Sequence, residues 1–128
     1  MIKYGDAEDI RNSIKDLIFK LELDHINLDR ISCIRSKGSG SRGVIARCHA
    51  LPKIMQKGLN CGAFYVIEVI SERFDRLSEE ERIKTLIHEL LHIPRAFGGG
   101  FRHHDFVNEG MVDKFYRNYI GKQEWKLL

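Results

Sequence analysis

Proline is scarce in this chain, with two in 128 residues, and tryptophan occurs once. The three cysteines, Cys33, Cys48 and Cys61, are widely spaced and contain no C-x-x-C pair. That spacing argues against a disulfide framework and against a cysteine zinc knuckle, and leaves thiols in a reducing compartment. No apolar run approaches the length that crosses a bilayer, so no membrane partner is expected. Met1-Ile2-Lys3-Tyr4-Gly5-Asp6 lacks a basic stretch followed by an apolar one, so the chain is expected to stay in the cytoplasm. Also missing are acids between Arg30 and Lys57, a stretch that carries Arg30, Arg35, Lys37, Arg42, Arg47, Lys53 and Lys57. The net charge of +3 is mild, so any nucleic-acid contact would have to come from this basic segment and not from the total.

What remains is ordinary globular material, 43% hydrophobic and 30% charged, of a length suited to one domain over residues 1–128. Ile10, Ile14, Leu17, Ile18 and Leu21 recur at helical spacing behind Asp6, Glu8 and Asp9, which predicts a helix over about Ala7–Leu23. A strand is expected at Ile31–Arg35, a loop at Lys37–Gly43, a second strand at Val44–His49 and a short helix over Leu51–Leu59. Phe64–Ile70, aromatic and β-branched, is the clearest strand and reads as central or well covered. Ser78 and Glu81 form a capping box that opens a helix ending near Pro94 and Gly98-Gly99-Gly100. A last helix is expected over Phe106–Ile120, stopped near Gly121.

The capped helix carries His88-Glu89-Leu90-Leu91-His92. Imidazoles four residues apart lie one above the other on a single helical face, where one zinc can join them. Glu89 is rotated about 100° from His88 at 3.6 residues per turn, so it flanks the metal without having to bind it. This is the H-E-x-x-H arrangement in which zinc lowers the pKa of its water and the glutamate takes the proton during attack on a carbonyl. The expectation is one Zn2+ per chain and hydrolysis of peptide bonds in a peptide or protein substrate. Chance recurrence of three fixed positions is opposed by the capped helix, its apolar flanks and the downstream glycine turn with its histidine pair.

A catalytic zinc takes a third protein ligand. Gly98 occupies the position six residues after His92 where a metzincin has its histidine, which leaves the His103-His104 pair or Glu109. Asn108-Glu109-Gly110, with Asp113 four residues on, looks like the third-ligand helix of gluzincins. Against it, the three glycines let the chain reverse and return an imidazole to the metal, which favours histidine. His49 and His25 lack a partner at ligand spacing and read as structural. Asp105 or Asp113 suits a carboxylate orienting an imidazole, and Tyr116 or Tyr119 suits an oxyanion donor, although packing of the last helix is the stronger expectation for both tyrosines.

Thr85 to Pro94, then Phe97, Gly99-Gly100, Arg102 and His104, resembles the archaeal and phage metallopeptidases related to SprT-like zincins. Similarity extends upstream through Ile34-Arg35-Ser36, Ser41-Arg42, Ala46-Arg47, Leu51-Pro52 and Tyr65 to Glu72. The resemblance implies an α+β, zincin-like fold with a small mixed sheet against the motif helix, and His104 as third ligand, since it follows Arg102 by two. Asn108-Glu109-Gly110 departs from the family pattern and keeps Glu109 in view. Because SprT-like relatives include proteases acting on DNA-bound proteins, the resemblance also keeps nucleic acid in view as a partner. Two other functions fit parts of the pattern: a three-histidine ribonuclease, which lacks the glutamate after the first histidine, and a non-catalytic zinc module with a closed fourth position.

Overall fold

The structure is a computed structural model that describes residues 1–40, 42–102 and 106–125. Its elements run β1 (Lys3–Asp6), α1 (Glu8–Lys20), a 3-10 turn (Leu28–Arg30), β2 (Ile31–Lys37), β3 (Ala46–Ala50), α2 (Lys53–Leu59), β4 (Tyr65–Ile70), α3 (Ser71–Phe74), α4 (Glu79–Leu91) and α5 (Glu109–Trp125). The four strands form one mixed sheet in the order β1-β2-β4-β3. β2 runs parallel to β4, whereas β1 and β3 are antiparallel to their neighbours. The fold class is therefore α+β, as expected.

Period-two alternation puts Ile31 and Cys33 of β2 with Tyr65, Ile67 and Val69 of β4 on one face, and all five are buried. α1 covers this face through Ile10, Ile14 and Leu17, and α4 through Leu86, Ile87, Leu90 and Leu91, all of one core. β4 is one of the two interior strands, in keeping with a sequence that is apolar but for Glu68.

Arg35 secures the sheet's rim. One guanidinium nitrogen reaches both oxygens of Asp75 at 2.7 and 2.8 Å, and the other reaches Asp9 at 2.7 Å, linking β2 to the start of α1 and to the residue after α3. α4 starts as its capping box requires, with Ser78 Oγ accepting the Glu81 N–H at 3.2 Å. The Glu81 carboxylate accepts the Ser78 hydroxyl at 3.0 Å rather than reaching the backbone.

Several elements differ from expectation: α1 ends at Lys20, β2 runs to Lys37, β3 spans Ala46–Ala50, and α3 and the 3-10 turn are additional. β1 was not anticipated, and it pairs with β2 through four exposed residues. Pro52 stands just before α2 as its N-cap and not within its first turn. α5 begins at Glu109 and not at Phe106, because Asn108 Oδ1 accepts the Met111 N–H at 3.0 Å and its carbonyl accepts from Val112. It then runs through Gly121 to Trp125.

Leu86 is 2% exposed on the core side of α4 and away from the cleft described below. Leu86→Ala should lower the unfolding free energy by about 2–5 kcal/mol through lost burial and a residual cavity. Urea titration should show that loss, and a midpoint unchanged from wild type would contradict the core assignment.

Candidate metal centre

The sheet order makes β3 an edge strand, and that decides what faces the polar side of α4. Ile70 N–H donates to Ile45 O and Leu51 N–H to Phe64 O, so odd-numbered residues of this strand exchange bonds with β4. Alternation then leaves the N–H and C=O of Ala46 and Cys48 directed away from the sheet. A cleft of about 1320 Å³ lies along that free edge, floored by Thr85, His88, Glu89 and His92 and walled opposite by Val107, Glu109 and Val112.

His88 and His92 stand on the cleft floor with ring centroids 4.8 Å apart and their Nε2 atoms 3.1 Å apart. A tetrahedral ion with Zn–N bonds of about 2.0–2.1 Å holds two ligand nitrogens about 3.3 Å apart, so the pair needs only a small adjustment to share one zinc. His92 is the residue that ends α4. Its Nδ1 lies 2.8 Å from the Arg102 carbonyl, which can only accept, so Nδ1 carries the proton and Nε2 presents its lone pair to the cleft.

Glu89 is 8% exposed and accepts a hydrogen bond from the Cys48 N–H of the free edge. Burial pushes its carboxyl up to about 7, because the charged form loses water, and the Cys48 amide offsets only part of this. A cation bound by the neighbouring imidazoles would favour the carboxylate. The site is thus chemically suited to a divalent metal and a nearby base.

Among the described residues, no three His, Cys, Asp or Glu side chains come together as a metal-binding group. His104, the expected third ligand, lies outside the described residues, as do His103 and Asp105. Glu109 lines the same cleft without completing such a group with the two imidazoles.

Residues set aside as structural are placed accordingly. His25 Nε2 contacts the Ile93 carbonyl at 3.1 Å. His49 lies beside the cleft but bonds Glu68 Oε1 at 2.8 Å. Burial raises the Glu68 carboxyl, while Ser36, His49 and Arg47 together outweigh that and leave it below the usual range. Tyr119 is buried and donates to Asp16, Tyr116 lies against Lys84, and Asp113 pairs with Lys84 at 3.0 Å. Two members of the basic segment are engaged within the fold. Arg30 donates to the Gly62 and Ala63 carbonyls, and Arg35 is held by Asp9 and Asp75. Sequence reasoning missed Cys48, Gln56, Tyr65 and Arg102, which act through a backbone amide, hydrogen bonds to a turn or a backbone carbonyl. Only the strand order and the loop path bring them to the site.

The Glu89 carboxyl gives a pH signature in metal-free protein. Its pKa is about 7 when folded against an ordinary 4.5, so between those values the folded chain holds more protons than the unfolded one. The contribution is fully present below pH 4.5 and is lost as pH rises to about 7. Relative to Glu89→Gln, the wild-type unfolding free energy should fall by on the order of 3 kcal/mol over that interval. Parallel pH–stability curves for the two proteins would contradict the buried-carboxyl reading.

A sequence profile of the family described as "Putative phage metallopeptidase" matches residues 2–127. No curated protein and no solved structure matches the chain.

Proposed function

The chain belongs to the phage metallopeptidase family, and on that premise we propose that it is a zinc metallopeptidase with Glu89 as its proton carrier. The family implies a metal ion and a peptide or protein substrate. The proposal goes further in naming zinc, one per chain, held by His88, His92 and His104 in a single zincin-like domain spanning 1–128. It also places the protein beside the SprT-like zincins and in the cytoplasm. The observation carrying it is the pair of Nε2 atoms 3.1 Å apart next to a buried carboxyl. Among the described residues, no helix is long and apolar enough to cross a membrane.

A bound zinc supplies a water of lowered pKa and polarises the scissile carbonyl. Glu89, held by the Cys48 amide within one turn of both imidazoles, accepts the proton of the attacking water and returns it to the departing amine. With the Cys48 N–H engaged by Glu89, the outward N–H and C=O of Ala46 and the C=O of Cys48 suit an extended substrate lying along β3. β4 lies between β2 and β3 and has no free edge for that role.

The purified protein should carry about one zinc per chain by elemental analysis, the single-site loading expected of catalytic zinc. His104→Ala should sharply weaken zinc binding, whereas Glu109→Ala and Glu89→Gln should retain the metal. Glu89→Gln should also slow hydrolysis of an unstructured protein substrate by about 10²–10⁴-fold. Retention of zinc in His104→Ala with loss in Glu109→Ala would move the third ligand. Cleavage of RNA without peptide hydrolysis would favour the ribonuclease reading. A loaded protein with no open coordination position and no turnover would favour the non-catalytic module.

A further inference from the structure

We propose that Tyr65 and Gln56 are positioning residues for the metal centre: they clamp the Gly98–Gly100 turn so that the Arg102 backbone fixes the ring and tautomer of His92. The inference rests on the metal-centre reading above.

His92 sits where helical hydrogen bonding stops, so the helix alone orients its ring poorly. Arg102 supplies the missing restraint twice, its N–H donating to the His92 carbonyl at 2.7 Å and its carbonyl accepting from Nδ1 at 2.8 Å. Yet Arg102 lies ten residues downstream, beyond three consecutive glycines whose freedom would let the chain wander.

Two side chains remove that freedom. The Tyr65 hydroxyl accepts the Gly99 N–H and donates to the Gly100 carbonyl, both at 2.9 Å. Gln56 Nε2 donates to the Gly98 carbonyl at 3.2 Å and to the Leu51 carbonyl at 2.9 Å. Gly99 adopts φ +104°, and a Cβ there would fall 2.6 Å from Gln56 Nε2 and 3.1 Å from Leu51 O, so the turn is seated against its clamp.

Tyr65 is itself immobile. It is fully buried on β4, with the Phe97 and Phe101 rings at 5.0 and 6.1 Å. The restraint therefore runs from β4 and α2 through the turn to Arg102 and the His92 Nδ1–H. A partner that holds a ligand histidine's second nitrogen typically accounts for 10–100-fold in metal affinity.

The test compares full-length Tyr65→Phe, Gln56→Met and Phe97→Leu with wild type. Tyr65→Phe keeps the ring and removes both hydrogen bonds, Gln56→Met removes the amide, and Phe97→Leu disturbs the packing while sparing both donors. Chelator competition should show zinc affinity reduced about 10–100-fold in Tyr65→Phe, less in Gln56→Met, and unchanged in Phe97→Leu even where its Tm falls. Nitrogen NMR of the metal-free protein should show His92 as the Nδ1–H tautomer in wild type and as a mixture in Tyr65→Phe. Wild-type zinc affinity together with an unchanged His92 tautomer in Tyr65→Phe would overturn the proposal. If that variant does not fold, Gln56→Met decides between the two outcomes by the same two readouts. A wild type that binds no zinc, with the tautomer still shifting in Tyr65→Phe, would sink the metal reading and leave the clamp standing.

Discussion

The organising constraint of this molecule is a carboxylate held out of water. Glu89 is buried because α4 must press Leu86, Ile87, Leu90 and Leu91 into the core while its next face meets the edge of β3. A carboxyl in such a place tends to keep its proton, since ionising it without a partner costs more than the fold readily bears. The Cys48 amide eases the charged form, and a cation between the adjacent imidazoles would ease it further. The same packing that stabilises the helix therefore leaves a buried carboxyl whose charge a cation at the imidazoles would favour.

Edge-strand geometry makes this possible. Had β3 been an interior strand, the Cys48 N–H would be paired to another strand and unable to reach Glu89. Instead β4 is interior, and the even-numbered residues of β3 keep a row of backbone groups directed at the cleft. One of these groups already meets Glu89, and its neighbours remain for an extended chain. The antiparallel β3–β4 pairing thus sets both the amide that meets Glu89 and the backbone groups that the proposed substrate would use.

Features whose cause is local could be read in the residues. Ser78 and Glu81 cap α4, β4 is an apolar run, and His88, Glu89 and His92 reach one cleft because helical spacing puts them there. Features caused by partners distant in sequence could not. Lys3–Asp6 is exposed at all four residues and is a strand only because β2 offers it an edge. Phe106 and Val107 continue the apolar spacing of α5, yet the cap at Asn108 excludes them. Arg30 and Arg35 looked like part of a basic stretch, and their roles emerge only when the carbonyls and carboxylates they meet come into view.

The two imidazoles reach the same place by different physical means. His88 lies inside α4, with its backbone set by the helix. His92 ends that helix: its N–H bonds to the Glu89 carbonyl in a tightened last turn, and its ring depends on a chain segment that leaves and returns. The glycines give the return path its sharp shape, and Tyr65 and Gln56 take back the freedom those glycines introduce. Because Tyr65 also belongs to the core face of β4, the candidate metal centre and the hydrophobic core share a residue. The ring of Tyr65 serves the core and its hydroxyl serves the turn, so one residue joins the two without making them the same interaction.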